Sequence, residues 1–258
     1  MTVRAEKIRL IVNADDLGVR PSVNEAIFAL LESRAISSAT LMANGPAFEQ
    51  AASQIRNFRH CSFGVHLNCT AFEPLGANMA VNSLLGKDGK LDPRNFREVS
   101  PTPALLLGLL EEFSLQIRRI EQFGASVSHI DSHHQVHTMP TLFPVLKCLQ
   151  IRHRIRRVRI TTNILGPNER STHAKRLKKR AFNSMLRKAY STKTTDYFGP
   201  FAAFLQNAEI PGRSCVVEAS VHPGPDRPRN YQDEENLLKT NWQESYPVPI
   251  EMIDYRQL

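Results

Sequence analysis

Between His129 and His137 the chain reads His-Ile-Asp-Ser-His-His-Gln-Val-His, which packs four of its nine histidines and one carboxylate into nine residues. The residues just before it, Ala125-Ser-Val-Ser128, predict a short strand. Side chains alternate faces along a strand, so His129, Asp131 and His133 would share one face. Neutral imidazoles and an ionised carboxylate are a common ligand set for a divalent metal, and burying them unpaired costs several kcal/mol. A metal ion is the simplest way to satisfy them. The competing reading is a loop of solvated histidines, but loops drift towards Gly, Ser, Asn and Pro rather than a strand-spaced ladder of His and Asp.

Three other segments carry the same kind of residue. Asp15 and Asp16 are adjacent carboxylates, which repel each other and therefore need a cation or different protonation states. One could ligate a metal while the other stays free as a general base. The alternative is a polar turn opening the next helix. His66, in Gly64-Val-His-Leu-Asn68, points away from its apolar neighbours Val65 and Leu67; taken alone it reads as a core or hydrogen-bonded histidine. His222 precedes Pro-Gly-Pro, a turn that would expose the imidazole, with Asp226 just beyond.

The elements that must position these residues alternate along the chain. Strands are predicted at Lys7–Asn13, Ser37–Met42, Ser62–Asn68, Ala125–Ser128, Arg157–Thr161, Ser214–Val221 and Ile250–Tyr255. Helices are predicted at Ser22–Ser33, Ala47–Arg56, Pro103–Phe123, Leu142–Gln150, Ala174–Tyr190 and Phe201–Asn207. Gly76–Asn95 reads as a long loop. Alternation on this scale implies α/β architecture with a parallel sheet, open or closed into a barrel. Asp15 and Asp16, His66 and Asn68, the histidine cluster, and His222 with Asp226 each fall at the C-terminal end of a predicted strand, the edge where α/β proteins gather their ligands. Four segments thus point at one rim.

With 258 residues the chain can bury a full core, and 41% hydrophobic with 22% charged residues excludes a disordered class. No stretch is long and apolar enough to span a bilayer, and Met1–Ile8 lacks the apolar core of a signal peptide, so a cytoplasmic protein is expected. Cys61, Cys69, Cys148 and Cys215 form no CxxC pair and read as reduced, mostly core thiols. The net charge of +8 is concentrated in one place. Arg152–Lys193 holds 14 Lys or Arg and one acidic residue, Glu169, a net +13, leaving 19 basic and 24 acidic residues, or −5, elsewhere. This basic segment is read either as a solvated lysine-rich helix or as an anion-facing patch.

The motifs Asn13-Ala-Asp-Asp-Leu-Gly18, Pro21-Ser-Val-Asn-Glu-Ala26, Ser38-Ala-Thr-Leu-Met42, Pro46-Ala-Phe48, Gly64-Val-His-Leu-Asn68, the histidine cluster and Val221-His-Pro-Gly224 occur in an order that resembles the YdjC-like carbohydrate deacetylases. That resemblance implies a distorted (β/α) barrel in a single catalytic domain over residues 1–258, with a basic helical insert at about 162–195. It also implies metal-dependent hydrolysis of the N-acetyl group of an amino sugar or chitooligosaccharide-like substrate. Carried over by motif, Asp16, His66 and His133 are the expected ligands of one divalent ion, magnesium or zinc, Asp15 the general base, and His222 the acid or oxyanion partner. Asn13, Asn68, His129, Asp131, His134 and His137 are expected to support the ligands or the substrate, together with Asp226. Tyr197 and Phe198, just after the insert, are placed to stack on a sugar ring or to pack in the core. Gln135 departs from the His-His-His-Val-His of many relatives, which leaves His133 and His134 as alternative ligands, with His133 preferred.

The substrate could carry an anionic group opposite the basic insert, and a homodimer is compatible with this reading. The alternative is an anion- or nucleic-acid-binding protein that uses residues 152–193 for contact and the histidines for a structural metal. Lysine-rich helices of this kind also bind membranes.

Overall fold

Parallel strands separated by helices require apolar runs that are buried on both faces, and the strand sequences supply them. The computed structural model describes residues 7–166, 170–206 and 215–258; Met1–Glu6, Glu169, Asn207 and Ser214, on which parts of the sequence reading fall, lie outside them. In chain order the described elements are β1 (Ile8–Leu17), α1 (Pro21–Glu32), β2 (Ser38–Leu41), α2 (Phe48–Gln54), β3 (Ser62–Leu67), α3 (Pro93–Glu98), α4 (Pro103–Gln122), β4 (Ile130–Ser132), α5 (Phe143–His153), α6 (His173–Lys188), β5 (Tyr197–Pro200), α7 (Phe201–Gln206), β6 (Cys215–Val221), α8 (Arg229–Leu238) and β7 (Ile250–Met252).

The sheet runs β4-β3-β2-β1-β6-β5, with every pairing parallel, and β7 joins the N-terminal end of β1 at Ile8–Leu10. It curls as a distorted (β/α) barrel. The segment around Val158 spans the gap between the edge strands: Ile130 and Arg157 to Arg159 exchange backbone hydrogen bonds, and the Asn163 and Ile164 amides donate to the Phe198 carbonyl.

Helices pack outside the curl on apolar stripes at helical spacing. In α4 these are Leu105, Leu109, Phe113, Ile117 and Ile120, and the helix starts where Thr102 accepts a hydrogen bond from the Leu105 amide. Inside the curl, Ile11, Ile253 and Tyr255 form a small second core beneath the polar residues of the rim.

Several sequence expectations are corrected. The strand leading into the histidine cluster is not Ala125–Ser128 but Ile130–Ser132, inside the cluster. Arg157–Thr161 makes only isolated bridges, Val158 with Ile130 on one side and Arg157 with Lys193 on the other. Tyr197–Pro200 is a strand and Arg229–Leu238 a helix, neither of which was predicted. The expected loop at Gly76–Asn95 contains a short 3-10 turn, Val81–Leu84, and the start of α3. The cysteines are mostly core as expected: Cys61, Cys69 and Cys215 are buried, and Cys148 on α5 is exposed.

Candidate metal centre

Strand β1 delivers both of its carboxylates through a bulge. Asn13 pairs with Ser38 and Ala14 with Ala39, but Leu17 pairs with Leu41, so β1 spends one more residue than β2 across this step. In a regular strand Asp15 and Asp16 would point to opposite faces. The extra residue, with Asp16 at φ 69°, brings both into the same volume; aspartate is among the few residues that tolerate this left-handed conformation. Both are buried at the rim.

The Asp16 carboxylate is the meeting point of three strands. Its Oδ1 lies 3.4 Å from His66 Nε2, from β3, and 3.2 Å from His133 Nδ1, just past β4. Yet it is buried and makes no hydrogen bond. Asp16, His66 and His133 each offer one ligand atom, all within 4.8 Å of one another. A buried carboxylate oxygen without a donor, facing two imidazole nitrogens, fits a cation.

His66 is held for such a role. Its Nδ1 donates to Asp131 Oδ1 at 2.8 Å, which leaves Nε2 facing Asp16. Burial alone would push this imidazole down. The charge and hydrogen bond of Asp131, with Asp15 and Asp16 behind them, reverse that and lift it to about 9. Burial likewise favours a neutral Asp16, but the adjacent His133 imidazole and the charges of His66 and His222 hold it well below the usual carboxylate range.

Arg159 organises the carboxylates. Fully buried, it bonds to both oxygens of Asp15 at 2.8 Å, to Asp131 at 2.7 Å and to Glu218 at 2.7 Å. Asp15 also accepts from Asn13 Nδ2 at 2.8 Å, so it is not the free carboxylate expected from sequence. Burial would raise its pKa, but Arg159 outweighs this and lowers it. Glu218 is pushed up to about 7 by burial, against Arg159 and the Tyr255 hydroxyl that donates to it. Arg227 bonds the outer oxygen of Asp16 at 2.5 Å. Four carboxylates, Asp15, Asp16, Asp131 and Glu218, thus face two guanidiniums, Arg159 and Arg227.

A cavity of about 930 Å³ opens onto this group and is lined by Asp15, Asp16, His66, His133, His134, Phe198 and His222, with Arg159, Arg227 and Tyr231. His222 Nε2 stands 3.7 Å from Asp15 Oδ2. His134 and Gln135, both left-handed at φ 52° and 54°, turn the chain so that His133 faces Asp16 while His134 Nδ1 meets Thr70 Oγ1 at 3.0 Å. Gln135 accepts from Thr162 at 2.9 Å and so ties the cluster to the segment after Arg159. Phe198 lies under the Arg159 guanidinium, 4.6 Å from ring centroid to Cζ.

Other expected residues lie elsewhere. His129 does not orient a ligand: it stacks on Tyr255 with ring centroids 3.5 Å apart, one layer below the rim. It fits there only because residue 64 is glycine, whose added Cβ would fall 2.4 Å from the ring. His137 is buried between the Ser132 hydroxyl and the Arg159 carbonyl, supporting the backbone from behind. Asn68 spends its side chain on Asn44, Thr70 and the Ala71 carbonyl. Asp226 is exposed near Arg20, and Tyr197 borders a neighbouring cavity instead.

Arg159, Arg227 and Glu218 were not singled out by sequence. Arg159 had a detectable signal: it sits between Val158 and Ile160, so an inward-facing strand position would bury it.

Comparisons with known proteins agree with this architecture. The chain is 38% identical over 145 residues to the carbohydrate deacetylase of Geobacillus stearothermophilus, covering 56% of this chain and 57% of that protein. It is 34% identical over 139 residues to the chitooligosaccharide deacetylase of Serratia marcescens, covering 54% of each. The matched segment therefore spans about half the length of these relatives. A crystal structure from Enterococcus faecalis V583, of a protein provisionally assigned to cellobiose-phosphate cleavage, superposes with a TM-score of 0.72 at 22% identity, covering 97% of this chain and 98% of that one, and shares its fold. A family model described as YdjC-like protein matches residues 9–250, and the chain belongs to that family.

Proposed function

We propose that this protein is a metal-dependent hydrolase that removes the N-acetyl group from an acetylated amino sugar or chitooligosaccharide-like substrate. The observation that carries this reading is the convergence of Asp16, His66 and His133 on one buried, undonated oxygen beside Asp15. The deacetylase names of the Geobacillus and Serratia relatives support it.

In this reading Asp16 Oδ1, His66 Nε2 and His133 Nδ1 would hold one divalent ion. Bound there, the ion would polarise the amide carbonyl and acidify a water molecule. Asp15 takes the proton of the attacking water. Its Arg159 clamp keeps it ionised and aimed, at the expense of basicity. His222, beside Asp15 at the cavity wall, is placed to donate to the developing oxyanion or to the departing amine. Arg227 holds the outer oxygen of Asp16 and leaves the inner one to the ion. Arg97, Arg170 and Lys175 on the cavity wall favour a substrate with an anionic substituent.

The test is acetate release from a panel of N-acetylated amino sugars with and without a chelator. Turnover that disappears with chelator and returns with a divalent metal is expected. If no acetylated sugar turns over with any metal while duplex DNA binds in a salt-sensitive way, the deacetylase reading fails.

A further inference from the structure

Helix α6 has two faces that a single packing partner does not explain. It carries seven Lys or Arg and no acidic residue over His173–Lys188. Its inner side buries Phe182, Asn183 and Leu186, and Lys175 and Lys179 line the cavity of the candidate site. At 3.6 residues per turn, Leu177, Ala181 and Met185 follow one another at four-residue spacing on the opposite side. Leu177 is 59% exposed and Met185 41% exposed. Lys178 flanks this apolar strip on one edge, Arg180 on the other, and Lys188 ends it, while Arg187 bonds to Thr194 and Thr195.

An apolar strip framed by cations on an exposed helix is the pattern of a helix that lies in a membrane interface, its apolar residues among acyl chains and its cations among anionic headgroups. We propose that the outer face of α6 docks the protein reversibly on an anionic lipid surface. Charge complementarity selects the lipid partner over a second copy of this chain, which would bring like charges together. The exposed Leu177 and Met185 select it over nucleic acid, which would gain nothing from an apolar centre. Because docking and cavity use opposite sides of one helix, the surface is independent of the metal centre.

Cosedimentation with vesicles tests this. The full chain should pellet with phosphatidylcholine vesicles containing about 30 mol% phosphatidylglycerol, fail to pellet with phosphatidylcholine alone, and be released as salt rises. The double variant Leu177→Glu/Met185→Glu should lose at least about tenfold in vesicle partition, and Leu177→Gln/Met185→Gln several-fold, with unchanged circular dichroism and acetate release. Equal binding by the glutamine variant, no binding to anionic vesicles, equal binding to neutral ones, or retention by duplex DNA in their place would each overturn the proposal.

Discussion

The guanidinium of Arg159 meets the carboxylate of Asp15 edge to edge, Nη1 and Nη2 each 2.8 Å from a different oxygen. A residue from the most basic stretch of the chain is therefore the fixed counter-charge of the most acidic point in the sheet. The pair sets the protonation state of the proposed base and links β1 to the segment that spans β4 and β5. Removing either partner has separate chemical and structural consequences.

Asp15→Asn keeps the size and the Asn13 contact but removes the charge. Acetate release should fall by about 10²- to 10⁴-fold, the usual range for a general base, while elemental analysis still finds metal. An active Asp15→Asn protein would show that the base lies elsewhere.

His133→Ala and His134→Ala separate neighbours whose rings are 4.1 Å apart. Only His133 reaches Asp16, so His133→Ala should weaken metal binding at least about tenfold, measured by titration with zinc or magnesium, and His134→Ala should leave it near the parent value. The opposite ranking would transfer the ligand role to His134.

Arg159→Met leaves Asp15, Asp131 and Glu218 buried without their shared cation. Urea unfolding should show a loss of about 3–5 kcal/mol, the range for breaking a buried ion pair. A loss under about 1 kcal/mol would mean that water or a metal compensates the carboxylates without it.

Glu234 on α8 gives a pH dependence of known sign. Burial lifts its carboxyl to about 7, from the ordinary 4.5, although the Ala202 amide donates to it. The folded protein thus holds this proton more tightly than the unfolded chain. Its stabilising contribution is full below about pH 4.5 and is lost as pH rises through about 7. Relative to the parent, Glu234→Gln should gain about 1 to 3 kcal/mol at pH 8, the lower figure allowing for solvent screening, and nothing at pH 4, read from thermal unfolding at the two values. An equal shift at both would exclude titration as the cause.

The sheet was legible because its strands are apolar runs separated by amphipathic helices; Ile8–Leu17 and Cys215–Val221 show both faces buried. What failed had a weak or divided signal. Arg229–Leu238 is polar along most of its length and buries only Glu234 and Leu238, so its periodicity was faint. Arg157–Thr161 reads as a strand, but its backbone hydrogen bonds are divided between Ile130 and Lys193, and neither pairing extends into a ladder. In the candidate site, Asp15, Asp16, His66, His133 and His222 stood out by residue type, and all five line one cavity. Arg159 did not, because an arginine among 14 basic residues looks like a surface cation until the fold buries it. His129 misled for a related reason: strand alternation gives its face correctly but not its depth, and depth decides whether it meets the rim or Tyr255.

The bulge in β1 makes the site separable from the fold at a single residue. A deletion between Ala14 and Leu17 would let the ladder to β2 run without a break, and the barrel would gain regularity. The same deletion would leave one carboxylate where the proposed site uses two. On that proposal, a smoother strand and an inert one would be the same change.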